Sequence, residues 1–559
     1  MSKHFLFALS LSLLFGCSKP ANDAGTPPPS TASVAALNCA SATLSSTATA
    51  GVAFTATGTL PYSGGNAASY GPGVAVASTG VTGLSATLQG GTLVSGSGAL
   101  TYTITGTPAS EGVAQFSVSF GGQSCSFSLT VGADGNFTQY GTPFAGVPDR
   151  PDAAIYQVNM RAFSGPGSFS AVTARLDSIK ALGINVIYLM PIYPVGVHRG
   201  VNSPYAVRDY RAVNPEFGSL ADLRTLVDGA HSRGMSVILD WVANHTAWDH
   251  PWLAQHTDWY QTDNTGVIIH PPGTNWTDVA QLNFNSAAMR VAMIRSMKYW
   301  VYTANIDGFR FDYSDGPPAS FWRQAVDSLR AITTHKLILL AEGDRADHYS
   351  AGFDYTFGFN FYGRLRNIFS GGAVGSGLDA VNATEYQGAT ADQQVVRYTS
   401  NHDINGSDGT PLELFGGQAG SMAAFVVAAY MKGVPMVYNG QEVGLPYRLT
   451  FPFTGQDIDW TLNPLLKEEY KRILSYRAAS AALRRGALTN YSNSNIAAFT
   501  RVLGAERVFV VANLRNSAQV LNLPAELQNS TWTNAMTGAS LSLTTQVPLM
   551  AYGYLVLRN

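Results

Sequence analysis

Gly308-Phe309-Arg310-Phe311-Asp312 reads as a short buried strand that ends on a carboxylate, and three other stretches repeat the form: Asp240-Trp241-Val242-Ala243-Asn244-His245, Ala341-Glu342-Gly343 and Ser400-Asn401-His402-Asp403. Each follows an apolar run, and their spacing decides the architecture. A (β/α)8 barrel of about 250 residues allots roughly 31 to each strand-helix unit. Glu342 lies 30 positions beyond Asp312, and Asp403 lies 61 beyond Glu342. That is one unit, then two. Acids at successive strand ends of one barrel share a rim, so the four stretches outline one site.

Working outward, apolar runs predict barrel strands over 155–163, 184–191, 237–240, the run ending at Asp312, 336–342, 353–356, 395–401 and 434–438. A helix over 169–182 separates the first two, and another over 464–484 closes the series. The interval from Asp240 to Asp312 is too long for one unit, so it holds an inserted lobe, about 241–288, above the strand ends. That lobe is rich in indole: Trp241, Trp248, Trp252, Trp259 and Trp276 are five of the chain's nine Trp. Such rings serve as sugar platforms or as packing, and the sequence does not choose among them.

The fold class is therefore multidomain: a TIM barrel over 151–485, preceded by an all-β sandwich and followed by a C-terminal β-sandwich over 486–559. With 559 residues, of which 46% are hydrophobic, the chain has material for several cores. Charged residues are only 13% and the formal net charge is −2, against about 25% charged in an ordinary domain. Nothing here favours nucleic acid as a partner. Between Ala24 and Gly132 the sole charged residue is Glu111. Period-two stretches such as Thr101-Tyr102-Thr103-Ile104-Thr105 make 35–132 a sandwich of immunoglobulin-like kind.

The first 17 residues read as an export signal: Lys3 and His4, an apolar run from Phe5 to Phe15, then Gly16-Cys17. The run is too short to span a bilayer. Residues 18–34 form a Pro/Ser/Thr tether and 133–150 a second linker. Cys39 and Cys125 stand near the two ends of the β-rich segment, where an oxidising compartment allows a disulfide.

The four stretches, in this order, resemble the signature regions of glycoside hydrolase family 13, the α-amylase family, over roughly residues 153–559. Ile155-Tyr156-Gln157-Val158-Asn159, Ser203-Pro204-Tyr205 and Tyr438-Asn439-Gly440-Gln441-Glu442 resemble its flanking ones. The resemblance implies Asp312 as nucleophile, Glu342 as general acid/base and Asp403 as the carboxylate that grips sugar hydroxyls. It implies His245 and His402 as hydroxyl partners and Tyr205 as the ring beneath the sugar; Arg310, two residues before Asp312 and on the same face of a strand, should hold Asp312 as the anion. Retaining cleavage of an α-glucoside needs such a pair, one acid ionised and the other protonated. Taken singly, any of these acids is an ordinary strand-end carboxylate; their joint occurrence at barrel spacing carries the argument.

The expectation is a retaining α-glucan hydrolase acting on α-1,4 bonds of starch-like substrates. Its alternatives are a transglycosylase or isomerase of the same family and an inert glucan-binding surface protein. Leu14-Phe15-Gly16-Cys17 resembles a lipobox, implying a lipid anchor on Cys17 and an outer-membrane or cell-surface location, otherwise periplasmic or secreted. The segment Pro61-Tyr62-Ser63-Gly64-Gly65-Asn66 resembles spacer modules of Bacteroidetes surface proteins. No cofactor is required for the chemistry. Many relatives hold structural calcium between barrel and lobe, and Asn244 matches one ligand. Gln281, however, stands where they carry an aspartate, and Gly316 where they carry a histidine; Asp278 and Asp315 are the carboxylates at hand to compensate.

Overall fold

The structure is a computed structural model that describes residues 31–109, 112–132, 137–164 and 168–559. The export signal, Cys17 and most of the first tether lie outside the described residues. Contacts divide the chain into two units, one made mainly of residues 31–132 and the other of 137–559.

The first unit is built from two main antiparallel sheets and a two-stranded pair, Ser69–Tyr70 with Gly91–Thr92. Strand Phe54–Gly65 pairs along its length with Gly96–Gly106. Its alternation places Phe54, Ala56, Leu60 and Tyr62 inside, opposite Phe116, Val118, Phe127 and Leu129 of the other sheet. In that second sheet, strands Gly112–Phe120 and Gln123–Gly132 form a hairpin whose two-residue turn is Gly121-Gly122. Both glycines have positive φ, 57° and 84°, the geometry a tight hairpin turn requires. A disulfide joins Cys39 to Cys125 across 86 positions.

The second unit holds a closed barrel of eight parallel strands in sequential order. These are β1 (Ile155–Val158), β2 (Val186–Leu189), β3 (Ser236–Val242), β4 (Gly308–Asp312), β5 (Ile338–Ala341), β6 (Tyr355–Phe357), β7 (Gln394–Arg397) and β8 (Val434–Tyr438). All their residues are buried, as expected of parallel strands covered on both faces. Strand β1 is shorter than its apolar run suggests: at Asn159 the chain leaves the sheet, and the Asn159 side chain caps a helical turn over Met160–Phe163 by accepting from the Ala162 amide. The helix expected over 169–182 breaks at Arg175 into Ser168–Ala174 and Leu176–Ala181. The closing helix breaks at Ser480 into Pro464–Ala479 and Ala481–Arg485, with Ser480 capping the second piece. A side-chain acceptor offered to free amides ends one helix and starts another.

Between β3 and β4 the chain makes a small lobe whose antiparallel ribbon pairs His245–Ala247 with Val279–Gln281. After β8, a six-stranded sheet and a two-stranded sheet form the C-terminal β domain around Ile496, Phe509, Trp532 and Val547. Arg515 of that domain donates to the Ile368 and Gly372 carbonyls, and Arg501 to those of Tyr430 and Met431. Among the described residues no helix is long and apolar enough to cross a membrane.

Candidate active site

Arg310, on β4, is wholly buried and points up inside the barrel. One of its terminal nitrogens, Nη1, lies 2.6 Å from Asp240 Oδ1 and 3.1 Å from Asp312 Oδ1, while the other, Nη2, contacts Glu342 Oε1. Asp312 and Glu342 thus flank a single guanidinium and sit side by side at the ends of β4 and β5. Glu342 follows directly on β5, its amide bonded to the Phe311 carbonyl at 3.0 Å. Tyr313, next after Asp312, has φ 41°, a left-handed backbone that costs a non-glycine residue strain. That turn aims the Tyr313 N–H at Glu342 Oε2, 2.8 Å away.

Beneath the acids a chain of hydrogen bonds sets orientation. The Gln157 amide donates to His402 Nδ1 at 2.8 Å, so His402 Nε2 carries the proton and meets the Tyr205 hydroxyl at 2.7 Å; Tyr205 in turn donates to Asp240 Oδ2 at 3.1 Å. Tyr188 donates to the same oxygen at 2.6 Å. Burial lowers the pKa of His402 to about 4, with Arg310 acting in the same direction, and burial also lowers that of His245 to about 4. Both rings are neutral at neutral pH and act as hydrogen-bonding groups, not as charges.

The carboxyls behave differently from the simple expectation. Burial raises Asp312 well above the usual carboxylate range despite Arg310, and Glu342, Asp240 and Asp403 add to the rise. Burial likewise raises Glu342, with Asp403 adding and Arg310, His402 and the Tyr313 N–H opposing. Arg310 does favour the Asp312 anion, but its one charge is spread over three carboxylates, and burial with the neighbouring acids outweighs it at Asp312. The charge of Glu342 raises Asp312 and that of Asp403 raises both, so the protonation of each acid depends on the others.

These acids line one cavity of about 1040 Å3, which also receives Tyr205, His245, His402 and Asp403. That is at the upper end of small-molecule sites, roughly 300–1,000 Å3, and leaves room for several sugar rings. Asp403 stands on a short helix, His402–Ser407, started by the Asn401 side chain, and not on a strand end as its sequence stretch suggested. Trp276, Phe359, Phe451 and Phe453 add aromatic wall. Of the lobe's other indoles, Trp241 is buried, Trp248 carries Arg199 over its face, and Trp252 packs on Trp259. Sequence reading missed the three phenylalanines because Phe451 and Phe453 sit on a loop without a periodic signal and Phe359 stands at the start of a helix, Phe359–Phe369, whose pattern does not mark its first residue as facing a cavity. It quoted Asp240 and Gln157 within their stretches but gave them no role, since only the strand register, Asp240 beside Arg310, reveals it.

The residues around Asn244 do not fit a calcium ion. Its side chain is paired with the Gln281 amide, Asn244 Nδ2 donating to Gln281 Oε1 at 3.1 Å. Gln281 Nε2 occupies the centre of the adjoining carbonyl oxygens. A Cβ at Gly316 would fall 2.5 Å from Asn244 Oδ1, so a side chain there has no room. Asp315 is committed to His348, 2.7 Å away. Among the described residues no group of three or more His, Cys, Asp or Glu could hold a metal. A hard cation wants several oxygens, preferably carboxylates, and this cluster offers it an ammonia-like donor instead.

Residues 134–278 match the model of the α-amylase catalytic domain, and residues 487–556 that of the maltogenic amylase C-terminal domain. The α-amylase MalA of Haloarcula japonica is 26% identical across 67% of this chain and 57% of its own length. An α-1,4-glucan:maltose-1-phosphate maltosyltransferase of Rhodospirillum rubrum is 31% identical across 34% of this chain and 32% of its own. The crystal structure of a maltogenic α-amylase, AmyB of Thermotoga neapolitana, superposes with a TM-score of 0.67 over 74% of this chain and 99% of that one, at 24% identity. At that identity the superposition speaks to the fold. The matches to these two domain models, with the likeness to MalA, make the chain similar to α-amylase-family enzymes in its catalytic and C-terminal parts, while it spans less than two thirds of MalA's own length.

Proposed function

We propose that this protein is a glycoside hydrolase that cleaves α-1,4-glucosidic bonds of starch-like glucans or maltooligosaccharides with retention of configuration. The observation that carries the reading is the single guanidinium of Arg310 flanked by Asp312 and Glu342 on the floor of a cavity walled by Asp403, His245 and His402. Contact with one cation brings both acids to the same side of the cavity, the arrangement that double displacement, which works at about 5 to 5.5 Å between carboxyls, calls for.

In the first step an Asp312 oxygen attacks the anomeric carbon and the bond to the leaving oxygen breaks, that oxygen taking the proton of Glu342. In the second, Glu342 removes a proton from water, whose oxygen attacks the anomeric carbon and releases Asp312. The mechanism therefore needs Asp312 ionised and the proton held on Glu342 before the first step. Positive charge developing on the ring is stabilised by the Asp312 anion while the Glu342 proton passes to the leaving oxygen. Asp403, His245 and His402 serve the ring hydroxyls, and Tyr205 lies beneath them.

Asp312→Asn should lower turnover of maltooligosaccharide by roughly a thousandfold or more, and proton NMR of the wild-type product should show the α-anomer first. Undiminished turnover in the variant would remove Asp312 from its role. The partial match to a maltosyltransferase gives a second reading, transfer to a sugar hydroxyl; longer oligosaccharides appearing in the same digest would favour it. The proposal includes export with a lipid on Cys17.

A further inference from the structure

Three carbonyl oxygens converge on one side-chain nitrogen in the lobe. The two hydrogens of Gln281 Nε2 are shared among Asn244 O at 3.1 Å, Asn244 Oδ1 at 3.3 Å and Leu282 O at 3.1 Å. Its own oxygen accepts from Asn244 Nδ2 at 3.1 Å. The orientation of the amide is dictated by this set, because turning it over would face an oxygen with three others. Gln281 and Asn244 are both buried, at 5% and 2% exposure, so each bond replaces one that water cannot supply.

The lock lies beside the candidate active site. Gln281 is the direct strand partner of His245 in the antiparallel ribbon, and Asn244 Nδ2 approaches His245 Nδ1 at 3.4 Å. His245 lines the cavity. Strand β3 ends at Val242, so the two residues that carry the chain from the barrel to His245 are Ala243 and Asn244. The Asn244 backbone carbonyl and side chain are both held by Gln281. No titratable group takes part in that grip, and the Gly316 backbone closes the space beside Asn244 Oδ1.

We propose that Gln281 is a positioning residue: its amide nitrogen gathers the carbonyls that a cation would otherwise gather, and so fixes His245 against the lobe without metal. A neutral donor does what a divalent ion would do, since both reward convergent oxygens, but the amide is covalently part of the chain and is not lost to chelators. The kinetic half of this inference rests on the hydrolase reading; the thermal half does not.

The test compares the full-length wild type with Gln281→Glu, which keeps the shape, turns the donor into an acceptor and adds the carboxylate a cation prefers. The wild-type melting temperature should stay the same in EDTA and in millimolar calcium chloride, with no bound calcium by elemental analysis. Gln281→Glu should melt lower in EDTA by about 5 °C and recover on addition of calcium. Its kcat/KM on maltooligosaccharide should fall and recover with the same calcium dependence, a coupling that lobe stability alone would not impose at a temperature where both forms are folded. A wild-type melting temperature that rises with calcium would overturn the proposal even if the variant does not fold. So would a variant in EDTA as stable as the wild type.

Discussion

Arg310 is where single side chains decide most. Its charge is divided among Asp240, Asp312 and Glu342, so the protonation of each acid depends on the others. Asp403 raises the pKa of Glu342; taking its charge away must lower it. A general acid loses activity as pH rises through its pKa. The basic limb of the kcat/KM profile of Asp403→Asn should therefore shift to lower pH, on top of a loss in rate from the missing sugar contact. A basic limb that stays put or moves up would separate Asp403 from Glu342. The acids, both histidines and Tyr205 were legible as residue types in their stretches. The sharing of Arg310 was not, because the residues that meet at a guanidinium come from three strands and the sequence does not report which side chains meet.

At the level of elements, β4 illustrates how local and tertiary constraints combine. Its five residues were visible as an apolar run ending in Asp312, and the strand spans the same Gly308–Asp312. Gly308 has φ 142°, and a Cβ there would lie 1.9 Å from the Ile338 carbonyl oxygen of β5. Only a residue without a side chain lets β4 enter the sheet at that point. Gly308→Ala should cost about 3 kcal/mol or more, read as a lower denaturation midpoint or as loss of soluble protein. Wild-type stability would mean the strand has slack that the close approach denies. Other elements were harder to bound. Strand β1 and the closing helix end where the capping side chains of Asn159 and Ser480 interrupt the pattern. A side-chain cap is a local competitor that apolar periodicity does not weigh.

For the whole molecule, the proposed anchor makes a prediction that needs no catalysis. In a host that processes bacterial lipoproteins, Cys17→Ser should move the protein from the membrane pellet to the soluble fraction; wild-type protein found wholly soluble would reject the anchor. Sequence by itself determined the order of the parts. The uncharged β segment, the eight-strand series and the alternating C-terminal stretch each follow from composition and from the period at which apolar residues recur, which local stereochemistry ties to helix or strand. It also determined that Asp312 and Glu342 stand at neighbouring strand ends, because strand spacing in a barrel is a property of the chain, but not that Asp403 stands on a helix. Only the tertiary structure decided what those acids feel and what replaces a cation beside them. Burial and the convergence of Asp240, Asp312, Glu342 and Asp403 set the proton balance, and the carbonyls around Gln281 meet only once the lobe ribbon has paired. Electrostatics and hydrogen bonding depend on distance through space, and distance through space is what folding adds to a sequence.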